Sequence, residues 1–116
     1  MLKVRSTLFG IDQGEIALFD HFDAETEMWT GSGVRDVEQP VAFSEAFEQV
    51  PGVHLSISLI DADTDAFMRL RIGARDVTRH GFTARCEVWG DTRIARLMVS
   101  WQATGALDDP EEYWRL

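Results

Sequence analysis

The 116 residues, 45% of them hydrophobic, have the size and make-up of one globular domain with enough apolar mass for a core. Eleven basic residues against twenty acidic ones leave a net charge of −9, which argues against nucleic-acid partners and broad contact with anionic lipid. Cys86 is the single cysteine, so an intrachain disulfide and a cysteine-rich zinc site are both excluded.

Hydrophobic alternation of period two recurs far more often than helical spacing. Glu15 to Phe19 and Val37 to Phe43 read as short strands, joined through a long polar connection from Asp20 to Gly33 that contains Met28 and Trp29. After Pro51-Gly52 comes a strand with Val53, Leu55, Ile57 and Leu59 facing a core, ended by the acidic turn Asp61 to Asp65. A strand starting near Phe67 puts Met68, Leu70, Ile72 and Ala74 inward and Arg69, Arg71 and Arg75 on one outward stripe. Gly81 opens the next, with Phe82, Ala84, Cys86 and Val88 inward and Thr83, Arg85, Glu87 and Trp89 outward. Beyond the turn Gly90-Asp91-Thr92, the last strand turns Ala95, Leu97, Val99, Trp101 and Ala103 in, leaving Ile94 and Met98 outside. Asp109-Pro110-Glu111-Glu112 has the capping residue, proline and acids of one helical turn, with Tyr113 and Trp114 behind it. The expectation is an all-β fold, a single six-stranded antiparallel β-sandwich.

Ten of the eleven basic residues are arginines, and seven of them fall between Arg69 and Arg96. Arginine is the cation suited to forked hydrogen bonds and to stacking on rings, so the stripe is expected to face something specific. For Arg69 two readings stand: a guanidinium donating to vicinal hydroxyls of a ligand, or one half of a salt bridge between protomers. Arg71 and Arg75 are assigned to interface pairing. Asp61, Asp63 and Asp65 begin like a calcium loop, but Ala66 and Ile72 stand where glycine and a bidentate glutamate belong, so no metal is assigned. His21, His54 and His80 are the only imidazoles, and no nucleophile elbow, phosphate loop or paired-histidine motif occurs. No enzyme activity, catalytic residue or cofactor is expected.

Several elements fall in a familiar order: Pro51-Gly52-Val53, Arg69, Val77-Thr78, Gly81-Phe82, Trp89-Gly90-Asp91-Thr92 and Val99-Ser100-Trp101-Gln102-Ala103. In that order they resemble the H-type lectin domain. The resemblance covers residues 43–105, with Gly14, Trp29 and Arg35 as thinner echoes upstream and residues 106–116 as a short tail. It implies a homotrimer that binds galactose-type sugars, N-acetylgalactosamine above all, at clefts between protomers, with stacking into hexamers left open. The site it implies comprises Arg69 as hydrogen-bond donor, Trp89 as an apolar wall with Gly90 beside it, and the loop residues Gly31 and Ser32. Serine stands where the family carries an aspartate, Gly90 where snail members carry histidine, and Cys86 lacks the disulfide partner those members have. These departures suit a prokaryotic or phage-like branch.

Trp89 has two readings of its own, stacking on a pyranose or packing between protomers. Met1 to Thr7 holds no apolar run of a secretory signal, and no stretch is long enough to span a membrane, so no membrane insertion is expected and a route of export is left open. The default location is cytoplasmic, with release or attachment to a particle as the alternative. A lectin without an export signal raises the competing reading, a trimerising assembly module of a phage-like tail or spike that binds no sugar.

Overall fold

The computed structural model describes residues 1–110. The proposed helical turn at Asp109 to Glu112 and the pair Tyr113-Trp114 lie wholly or partly outside that range. Six strands form: β1 Phe9–Asp20, β2 Arg35–Ala42, β3 Gly52–Ala62, β4 Leu70–Arg75, β5 Gly81–Val88 and β6 Ile94–Ala106. They make two antiparallel three-stranded sheets, ordered β1-β6-β3 and β2-β5-β4. No helix among the described residues is long and apolar enough to cross a membrane.

The two central strands supply most of the core because each is flanked on both sides. In β5 the alternation is strict, and Phe82, Ala84, Cys86 and Val88 are buried in turn. In β6 the buried set is Leu97, Val99, Trp101 and Ala103, as the alternation indicates. The aromatic end of the core joins the sheets: Phe43 and Phe82 lie 5.9 and 5.6 Å from Trp101, and Phe47 meets Phe43 edge-on at 5.1 Å. Gly14 sits directly opposite Trp101 in the ladder, which accounts for both residues in the pattern.

Three expectations are corrected, one of them through a bulge. Leu18 and Ser58 are extra residues in β1 and β3 where the ladder to β6 slips, and Ala95 is extra in β6 between the pairs Asp61–Arg96 and Ala62–Ile94. Each bulge shifts the alternation. Ile94 is therefore fully buried rather than outward, whereas Ile57 keeps its row opposite buried Val99 and is 40% exposed because β3 is an edge strand. The third correction concerns β4, which begins at Leu70, leaving Phe67 and Met68 as exposed residues of the preceding loop. Thr92 ties that loop down instead, its hydroxyl donating to Phe67 O at 2.8 Å and accepting the Arg69 N–H at 2.9 Å.

Cys86 carries the thiol in the middle of this core, with no exposure, and burial pushes its pKa from 9.0 up to about 11, with Glu87 adding to the rise. A raised pKa means the folded state holds the proton more tightly than the unfolded one. The contribution is whole below pH 9 and is lost as pH climbs toward 11, by up to about 2–3 kcal/mol. Denaturation midpoints measured at pH 8, 9.5 and 11 should therefore fall more steeply in the native chain than in Cys86→Ala. Parallel curves would refute this.

Candidate functional site

The connection from β1 to β2 is ordered by packing more than by local propensity. Helix α1, Glu27–Thr30, is a single turn whose N-cap Thr26 makes no side-chain capping bond, so local signals for it are weak. Met28 is buried beneath it, and Arg93 lies against Trp29, its guanidinium 5.5 Å from the ring and its Nε donating to the Trp29 carbonyl at 3.1 Å. The same Arg93 faces Asp63 at 3.8 Å, which gives the acidic turn a role as its counter-charge.

Arg35 is the residue that shapes this end of the molecule. Its side chain is buried, and among the described residues its guanidinium donates only to backbone carbonyls: Gly33, Glu27, Gly31, Gly90 and Thr92, at 2.8 to 3.3 Å. One planar cation thereby ties α1 and the loop after it to the turn between β5 and β6. Gly33 adds a backbone bond to the Gly90 carbonyl at 3.0 Å. Gly31 is fixed by space, since a Cβ there would lie 2.6 Å from Glu27 O and 2.8 Å from Arg35 Cδ. Its N–H already donates to Glu27 O and its carbonyl accepts from Arg35. Of the two expected loop residues, Ser32 is the one with an exposed hydroxyl that makes no internal bond among the described residues.

Gly90 has φ +69, the left-handed region that glycine enters without steric cost. Its missing side chain also admits Arg69, whose Nη1 lies 2.9 Å from where a Cβ would stand. The Arg69 guanidinium rests over Phe67 at 5.2 Å, and its backbone carbonyl accepts the Trp89 N–H at 3.3 Å. Arg69, Trp89, Gly90, Gly31 and Ser32 thus gather at one end of the β2-β5-β4 sheet, within a single chain. Sequence alone does not reveal Arg35's organising part, which rests on carbonyls drawn from positions 27 to 92.

The outward stripe on that sheet is a paired network. Arg75 meets Glu38 at 2.6 Å, Arg71 meets Glu87 at 3.4 Å, and Arg85 contacts Asp36, Glu87 and Glu38 at 3.1, 2.9 and 3.7 Å. The bond to Asp36, ahead of the attraction of the neighbouring acids, raises the Arg85 pKa. Arg71 and Arg75 therefore each have a counter-charge inside the chain. Arg69 has no carboxylate partner among the described residues. Beside it Trp89, 38% exposed, joins Val34, Arg71 and Glu87 around a hollow of about 240 Å³.

Comparison with known proteins turns this geometry into a family. The H-type lectin domain matches residues 38–104. The chain belongs to the H-type lectin domain family. Carbohydrate binding in the general sense goes with that membership. Over 113 residues, 97% of either chain, this H-type lectin domain is 38% identical to the product of "ATP synthase subunits region ORF 7" of Fuscovulum blasticum. It is 38% identical over 77 residues to a Discoidin-1 polypeptide of Dictyostelium discoideum, a match covering 65% of this chain and 30% of the relative. The native structure of recombinant discoidin II from the same organism superposes with a TM-score of 0.75 at 24% identity. That match takes in 92% of this chain and 41% of the other, so the lectin domain spans well under half of either discoidin, and the structural likeness is one of fold.

Proposed function

We propose that this H-type lectin domain binds galactose-type glycans, N-acetylgalactosamine among them, at the Trp89 end of the β2-β5-β4 sheet. The observation that carries the reading is the contrast within the arginine stripe: Arg71, Arg75 and Arg85 are paired to carboxylates, while Arg69 is held in place by Phe67 and Gly90 with its donors uncommitted to any acid among the described residues. A preorganised fork suits two vicinal hydroxyls. Trp89 supplies the apolar wall for a pyranose face, and the Ser32 hydroxyl a further uncharged bond. Gly31 and Gly90 act through shape. The chemistry is non-enzymatic recognition without cofactor or metal. The protomers assemble as a homotrimer whose clefts adjoin these sites, and avidity offsets shallow single sites.

A glycan array followed by calorimetry tests this on the native oligomer. Arg69→Ala should weaken the selected sugar by roughly 10-fold to 100-fold, the worth of one or two hydrogen bonds from a charged donor. Unchanged affinity in a variant whose light scattering matches the native protein would defeat the assignment. A blank array from an intact oligomer would favour the assembly-module reading instead.

A further inference from the structure

The outward face of the β2-β5-β4 sheet is ruled by cross-strand rows. Asp36, Glu87 and Arg71 stand side by side, as do Glu38, Arg85 and Gly73, and Pro40, Thr83 and Arg75. Continuing the alternation one step brings Val34, Trp89 and Arg69 to the outermost row, where all three are exposed. In the second of these rows the middle of β4 is a glycine. Glycine in a strand interior costs conformational entropy and packs nothing, so it calls for a reason. The backbone gives none, because positive φ among the described glycines is confined to Gly33 and Gly90. Packing gives none either, because a Cβ on Gly73 would meet nothing within 4 Å. What the missing side chain creates is a hollow of about 260 Å³ beside Arg71, Arg75, Arg85 and Glu87. It shares Arg71 and Glu87 with the Val34 and Trp89 hollow.

Resting on the proposed sugar site, we infer that the Gly73 notch and the hollow above it are continuation subsites for a neutral oligosaccharide whose terminal residue is held at Arg69 and Trp89. Four residues separate Trp89 from the Arg85 row, roughly 13 Å along the strand, a span that one pyranose ring does not fill. In the rows beyond Arg69, three arginines and three acids pair with one another, so that stretch of the face presents fixed donors and acceptors side by side with its charges balanced. Such a surface suits chains of uncharged hydroxyls and gives no advantage to sulfated or carboxylated sugars. The open space over Gly73 lets a sugar approach the backbone itself.

The test is calorimetry with galactose, N-acetylgalactosamine, and tri- and tetrasaccharides ending in them, on the native protein, Arg69→Ala, Gly73→Ala and Gly73→Val. Valine is a good strand former and enters open space, so the variant should keep its fold and its oligomer. The native protein should bind the tetrasaccharide roughly 10-fold tighter than the monosaccharide. Gly73→Val should reduce the tetrasaccharide to the monosaccharide level and leave the monosaccharide unchanged, with Gly73→Ala in between. Equal affinity for short and long sugars, or an unchanged tetrasaccharide in Gly73→Val, overturns the inference while leaving an Arg69-dependent sugar site standing. Loss of the oligomer in Gly73→Val, seen by light scattering, overturns it by making the notch a contact between protomers. No sugar binding by the native protein removes both the site and its extension.

Discussion

Arg35→Met is expected to lower stability by about 3 kcal/mol, which for a chain of this size moves the melting temperature by roughly 12 °C. Methionine keeps most of the buried stem but removes every donor. The carbonyls of Glu27, Gly31, Gly33, Gly90 and Thr92 all lose a charge-assisted bond at once. Part of the loss is recovered, because no carboxylate among the described residues balances this guanidinium and its burial is itself costly. Water reaching the loop recovers a further part, which keeps the figure well below five separate bonds. Arg35→Lys should restore little, since an ammonium cannot reproduce a planar fork aimed at five acceptors. Calorimetry on all three proteins measures this, and a shift under about 3 °C in Arg35→Met would show that Met28 and Arg93 alone seat the loop. The variant should also lose sugar affinity below its melting temperature, as the segment bearing Ser32 comes off Gly90.

Phe47→Ala is expected to cost about 3–5 kcal/mol, the range for emptying an aromatic position in a packed core. Phe47 is 1% exposed and packs edge-on against Phe43, in the segment between β2 and β3 that has no regular structure. Its backbone is clamped by Arg79 in both directions: the Phe47 N–H donates to the Arg79 carbonyl at 2.9 Å, and Arg79 Nε donates to the Phe47 carbonyl at 2.8 Å. The clamp limits how far the segment can sink into the vacated space, so a cavity is left rather than closed. Urea midpoints for Phe47→Leu and Phe47→Ala separate the two contributions. Leucine should recover more than half of the loss, and equal destabilisation in both would point to the edge-on ring contact instead.

Elements flanked on both sides are the most legible in the sequence. In β5, and in β6 from Leu97 to Ala103, burial on one face imposes an undisturbed alternation, and the expected inward residues of β5 are the buried ones. Bulges escape such reading, because an extra residue such as Ala95 leaves no mark of its own, and Ile94 reads as outward for that reason. The edge strand β1 is longer than its pattern suggests, since the apolar Phe9 and Ile11 take exposed positions while Gly10, Asp12 and Gly14 take the half-buried ones between them. At the site, Arg69, Trp89 and Gly90 are legible from their order along the chain. Arg35 is not, because an arginine that serves backbone carbonyls looks like any other in one dimension. The intramolecular pairing of Arg71 and Arg75 is hidden similarly, in the register that sets β4 and β2 on either side of β5.

The strand order of the first sheet sets a schedule. Phe9 pairs with Ala106, and among the described residues β3 has no partner in its sheet other than β6, the last of the six strands in chain order. Closing so long a loop is entropically slow, and sheets built from distant pairings fold late. On a ribosome adding about 5–20 residues each second, β1 waits roughly 5–20 s for its template. The β2-β5-β4 sheet, whose strands all precede β6, can assemble in the meantime and shelter Cys86 on one side only. A β2-β5-β4 sheet formed ahead of β6 would keep its apolar face open only from the completion of β5 at Val88 to that of β6 at Ala106.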